Sequence, residues 1–150
     1  SVSEVAGVTD NVESSSIAYK DAKTDVKPSF DMLLPKGKTT DQISFALVSP
    51  EGNAPVYAFI DQIGSTKIKI SEQELPEQFK SNPDAELERV AKSFQATDII
   101  QIDEIKVYHG LSDKTKVQSL VFVKNRRLIF IASPDKLTDD TWAGYILNLQ

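Results

Sequence analysis

The chain has one histidine, His109, and no cysteine. That removes disulfides, thiolate zinc sites, cysteine nucleophiles and histidine-rich metal sites together. His109 follows Tyr108 and precedes Gly110, at the expected end of a strand. A general base needs an orienting partner within hydrogen-bond reach. No neighbour supplies one, so His109 reads as a titratable surface residue. Adjacent carboxylates occur at Asp103 and Glu104 and at Asp139 and Asp140. Glycoside hydrolysis needs two carboxyls about 5 to 9 Å apart across one bond. Neighbours on a strand point to opposite faces, and the second pair opens a helix, so both pairs read as structural. Gly64 and Gly110 stand alone, whereas phosphate-cradling loops need clustered glycines. The sequence contains no serine-hydrolase elbow, dinucleotide fingerprint, Walker loop, zinc-protease helix or calcium loop. No catalytic residue, metal site or cofactor is therefore expected, and the chain reads as a non-enzyme.

The sharpest local feature is basic: Lys124, Asn125, Arg126 and Arg127, with Lys114 and Lys116 upstream. Between positions 101 and 131 six basic residues face three acidic ones, on a chain whose net charge is −5. Lys124, Arg126 and Arg127 could form an anion-facing patch at a hairpin tip, meeting an acidic headgroup, glycan or protein. The same charges would also keep a sheet edge soluble. Trp142 and Tyr145 could line a cleft, but Trp142 shares helical spacing with Ile146 and Leu149, which points to core.

The elements that would position these residues follow from periodicity. Residues 44–48 and 56–60 read as strands joined by a turn through Pro50, Gly52 and Asn53. Thr66, Lys67, Ile68, Lys69 and Ile70 alternate, with both isoleucines inward and both lysines outward. Leu87, Val90, Ala91 and Phe94 fall on one helix face, so residues 84–95 should form a helix capped by Ser81 or Asn82, with Pro83 in its first turn. Ile100 and Ile102 share one phase, Ile105 and Val107 the other. A bulge or tight turn at Asp103 and Glu104 would put all four on one face. Residues 117–123 are apolar in both phases, as an interior strand would be. Residues 127–132 return after a turn at Asn125. Thr138 should cap a last helix over 138–149. Strands in consecutive runs imply an α+β fold. It should be a curved, mainly antiparallel sheet of about six or seven strands with two helices packed on it.

A chain of 150 residues with 40% hydrophobic residues can bury a core, which excludes global disorder. The negative charge argues against a nucleic-acid partner. Residues 1–29 carry Ser14, Ser15 and Ser16, scattered small apolar residues and one aromatic, Tyr19. They read as a flexible polar arm or stalk before a single domain over 30–150. The alternative there is an edge strand through Ser16, Ile17, Ala18, Tyr19 and Lys20.

Several segments carry a resemblance. Phe30 through Leu34, Pro35, Lys36 and Gly37 form one. Lys67, Ile68, Lys69, Ile70, Ser71, Glu72 and Gln73 form another. Ile105, Lys106, Val107 and Tyr108, the strands around Asn125, and Ile131, Ala132 and Ser133 before the terminal helix complete it. The region resembles bacterial extracytoplasmic domains of unassigned function on single-span membrane proteins, some of them related to anti-sigma factors. It covers residues 30–150 and is loosest over 75–95. It implies an extracytoplasmic domain tethered by a segment upstream of Ser1, with an interaction or sensing role toward a protein or cell-envelope partner. It carries no catalytic residues with it. The alternative is a binder of a small apolar ligand or lipid between sheet and helices.

Overall fold

Alternation and tight turns build one antiparallel sheet. The computed structural model describes residues 22–150. Its strands are β1 (Lys23–Val26), β2 (Phe45–Leu47), β3 (Val56–Ile63), β4 (Thr66–Glu74), β5 (Asp98–Ile102), β6 (Ile105–Leu111), β7 (Gln118–Lys124) and β8 (Arg127–Ser133). Two helices follow the two runs of strands, α1 (Pro83–Ser93) and α2 (Asp139–Leu147). The sheet order is β1-β2-β3-β4-β8-β7-β6-β5. Two four-stranded meanders are thus joined where β4 meets β8, over six residue pairs from Lys69 with Ala132 to Glu74 with Arg127.

The eighth strand, beyond the six or seven expected, is β1. It lies inside the segment read as an arm, so the chain is ordered in the sheet from Lys23. The edge strand considered at residues 16–20 lies outside the described residues. Residues 30–34 join no strand. They cross one face of the sheet as a strap, with Met32, Leu33 and Leu34 buried.

Consecutive residues of β8 show how the sheet divides its two faces. Ile129 and Ile131 belong to a core with Phe59, Ile70, Leu120, Phe122, Trp142 and Ile146. Leu128 and Phe130 belong to another with Leu87, Val90, Phe94 and Tyr108. The helices therefore cover opposite faces, α2 on the first and α1 on the second. The turn at Asp103 and Glu104 is tight, with Ile102 paired to Ile105 and Asp103 at φ 51°. It places Ile100, Ile102, Ile105 and Val107 on the α2 face as expected.

Caps fix both helices. Asn82 accepts from Ala85 N at 3.4 Å, and Pro83 occupies the first turn. The end of α1 is a Schellman arrangement: Ala96 N donates to Ala91 O and Gln95 N to Lys92 O, both at 3.0 Å, with Gln95 at φ 60°. Thr138 caps α2 by accepting from Thr141 N at 3.2 Å. The buried Gln118 carboxamide oxygen then fastens α2, taking Leu137 N and Trp142 Nε1, each at 2.9 Å.

Lys69 corrects the sequence reading. It points away from Ile68 and Ile70, but it is 7% exposed rather than outward in water. Burial lowers its ammonium to about 8. Alternation fixes the face a residue occupies, not whether that face is wet.

The exit from α1 crosses β6 at Gly110. A Cβ there would overlap the Gln95 carbonyl oxygen and stand 2.8 Å from Ala96 Cα. Both obstacles are backbone, so Gly110→Ala should cost about 2 kcal/mol or more. Phe94, edge-on to Phe130 with centroids 4.6 Å apart, should cost about 3–5 kcal/mol as Phe94→Ala. Urea unfolding checks both. A loss below about 0.5 kcal/mol in either variant would refute the assigned packing at that position.

Candidate functional site

The α1 face is not covered evenly. The helix lies over the β6–β8 side, and beside it a groove of about 650 Å³ remains. Its floor is Ser71 of β4 with Leu128 and Phe130 of β8; Val56, Phe79 and Val90 form walls. One rim is the β2–β3 connection, where Asn53 N closes a turn on Pro50 O at 3.2 Å and Gly52 takes φ 85°. The opposite rim is α1, where Arg89 Nε donates to Glu86 Oε1 at 3.0 Å. The nearby Lys80 ammonium pairs with Glu77 at 3.0 Å. Each of these cations is matched to a carboxylate three residues away, and among the described residues lining the groove Arg89 is the one cation.

The floor is polar at one point. Ser71 is 1% exposed, and its hydroxyl finds no hydrogen-bond partner among the described residues. A buried hydroxyl left unpaired costs about 1–3 kcal/mol. No base is bonded to it, which leaves it without the arrangement that activates a serine nucleophile.

The next residue faces the other way. Glu72, on the phase of Ile68 and Ile70, is fully buried beneath the strap. Its Oε1 accepts from Leu33 N at 2.7 Å, and its Oε2 has no partner among the described residues. Burial raises its carboxyl to about 8, against the opposing pull of the Leu33 amide and the Arg127 charge. Tyr145 of α2 donates to Asp61 Oδ2 at 2.7 Å. Its phenol is raised chiefly by burial and further by Asp61 and Glu72.

The basic residues of the β7–β8 turn do not make one patch. Lys124 Nζ donates to the carbonyls of Ile146, Leu147 and Leu149 at 2.8, 3.3 and 2.6 Å, tying down the end of α2. Desolvation there lowers its ammonium below the ordinary lysine value. Arg127 Nε donates to Asp31 O at 2.9 Å, and its guanidinium lies 5.1 Å from the Phe30 ring centre. Arg126 alone stays exposed. Two of the three cations are thus committed to chain segments that the turn meets only in three dimensions.

The other candidates are separate from the groove. Trp142 is core, with no exposed surface. His109 is half-buried in β6, paired across to Asp98 and Leu120. Asp103 and Glu104 form a turn; Asp139 and Asp140 open α2. No three His, Asp or Glu side chains gather as a metal site among the described residues. No described helix is long and apolar enough to cross a membrane.

Sequence reasoning missed Ser71 and Glu72. Glu72 was legible in part: a carboxylate falls on the inward phase of a strand whose other inward residues are isoleucines. Ser71 had no such signal, because its burial depends on residues far along the chain. No family model, curated protein or solved structure matches this chain.

The turn yields a contrast. Lys124→Ala strips a cation from three helix-end carbonyls and should cost about 1 kcal/mol. Asn125 and Arg126 take φ 49° and 62°, as a two-residue type I′ turn requires. Glycine meets that requirement without Cβ strain, so Arg126→Gly should gain up to about 1 kcal/mol. Urea midpoints measure both. Equal stability of the two variants would refute the contrast.

Proposed function

We propose that this chain is a non-catalytic binding domain. Its groove beside α1 takes a small, mainly apolar molecule bearing one uncharged hydrogen-bonding group. The observation that carries the reading is the buried Ser71 hydroxyl, unpaired, on the floor of an otherwise largely apolar groove. The volume supports it, since small-molecule sites span about 300–1,000 Å³ and are mostly apolar with a few placed polar groups. The pairing of Arg89 with Glu86 supports a ligand without a carboxylate head, because such a head would find the cation of the lining already engaged. The extracytoplasmic placement, tethered ahead of Ser1 and facing a protein or cell-envelope partner, is part of the same proposal. It rests on the resemblance of residues 30–150. Reading the coding sequence upstream of Ser1 tests it: a leader or an apolar stretch of about 20 residues supports it, and a start codon beside Ser1 overturns it.

Decan-1-ol is a suitable probe, with a hydroxyl for Ser71 and an alkyl body for the walls. Titration followed by amide NMR should shift Ser71, Val90 and Phe130 together. Ala54→Trp, at an exposed rim position, should abolish the shifts without unfolding the chain. Ser71→Ala should weaken binding about fivefold, the equivalent of about 1 kcal/mol for one hydrogen bond. Shifts confined to other regions, or binding unaffected by Ala54→Trp, would overturn the reading.

A further inference from the structure

The α2 face carries a second arrangement, independent of the groove. Residues 29–35 cross it without regular structure and are held at separate points. Ser29 N donates to the Tyr57 hydroxyl at 3.2 Å, and the Tyr57 hydroxyl donates to Ser29 Oγ at 3.1 Å. Phe30 packs on Tyr57 with centroids 5.4 Å apart. Arg127 holds Asp31 O, Glu72 holds Leu33 N, and Leu34 exchanges two 2.8 Å backbone bonds with Gln150. Glu72 is the one holding point with an ionisable group and no access to water.

A carboxylate offers about four lone-pair sites, and a neutral carboxyl fewer. Glu72 meets a single N–H donor. A neutral acid with its proton on the other oxygen keeps that bond and leaves one O–H without an acceptor among the described residues, a smaller loss than a buried charge. A single donor falls short of the hydration an anion loses on burial. The charged and titratable groups facing it do not make up the difference. Arg127, from β8, spends its guanidinium on Asp31 O and the Phe30 ring. Tyr145, from α2, donates to Asp61 of β3. Lys124, from β7, is turned to the end of α2. Beneath Glu72 the sheet is continuous, whereas the strap above it has one antiparallel bridge, Pro35 with Leu149, at its far end.

We propose that Glu72 is a proton-controlled latch: its neutral carboxyl holds the strap at Leu33, and its ionisation opens the strap between Asp31 and Leu34. Ionisation draws water to the buried oxygens and draws the Arg127 guanidinium from Asp31 O, so two holding points weaken together. The direction follows from the raised carboxyl. In the unfolded chain Glu72 ionises near the ordinary 4.5, and in the folded chain near 8. The stabilisation is fully present below pH 4.5 and shrinks as pH rises. It is lost through pH 8, so the strap is closed in acid and opens in mild alkali.

Hydrogen exchange of the full chain between pH 5 and 9.5 tests this, with rates corrected for intrinsic exchange. The Leu33 amide should lose protection about tenfold or more above pH 8, while amides of β7 keep theirs. Glu72→Gln keeps an acceptor for Leu33 and cannot ionise, so its Leu33 protection should stay flat with pH. Leu33 protection that tracks β7 throughout, or falls equally in Glu72→Gln, overturns the latch. Should Glu72→Gln not fold, carboxyl NMR of the wild-type protein decides alone. A Glu72 midpoint above pH 7 with strap shifts of the same midpoint supports the latch, and a midpoint between 4 and 5 overturns it.

Discussion

The pairing of β4 with β8 is the constraint on which the rest depends. Each meander alone would leave an interior strand as an open edge with unpaired backbone groups. Joining them antiparallel removes both edges at once and leaves only β1 and β5 at the margins. The joint also fixes phase. Ile70 stands opposite Ile131, and Ser71 opposite Phe130. A slip of one residue would exchange the two faces of a whole meander and drive Glu72 toward α1. Because both cores are apolar, that slip would expose one isoleucine set and strand polar residues in the other.

The seam explains how Ser71 and Glu72, neighbours in sequence, each come to hold a buried oxygen without a partner among the described residues. Ser71 and Glu72 lie on a strand paired on both sides, so neither can turn toward an edge for water. One faces the groove beside α1, the other the strap beneath α2. In each case the covering element is the least regular part of its face: a turn-rich connection over Ser71, a strap with a single bridge at its end over Glu72. Polar groups in a sheet centre are tolerated where the cover can adapt, and these are the places where a ligand or a proton can act. The proposed binding groove and the proposed latch thus draw on opposite faces of one strand.

The turn between β7 and β8 shows how tertiary contacts redistribute charge. Read along the chain, Lys124, Arg126 and Arg127 are a cluster. In the fold, strand alternation and the proximity of both chain-terminal segments send Lys124 to the last carbonyls of α2 and Arg127 to the strap. A cation at a helix C-terminus answers the unpaired carbonyls there. The basic turn thus closes the α2 face, clamping residues from about positions 30 and 149 between them.

Local chemistry in the sequence determined the elements: the period-2 runs, the helix face of Leu87, Val90 and Phe94, the caps at Asn82 and Thr138, and the turn at Asp103 and Glu104. Each is decided by residues within a few positions of one another. It also settled the α+β class, since strands came in consecutive runs. Whether a polar residue is buried was legible at most in part, because burial is set by partners outside the local pattern, such as Leu33, 39 positions from Glu72. Lys69 read as outward and is enclosed; Ser71 and Glu72 lay beyond the alternating run of residues 66–70, and each has a buried side-chain oxygen without a partner among the described residues. Strand β1 was missed because Lys23, Thr24 and Asp25, with Val26 the one apolar residue, gain their order from pairing with β2, not from their own pattern. The groove exists only because α1 covers one half of its face, and that is decided by where Gly110 lets the chain cross. Side-chain type fixes which way the chain can turn; the partners it meets there fix what each side chain can do.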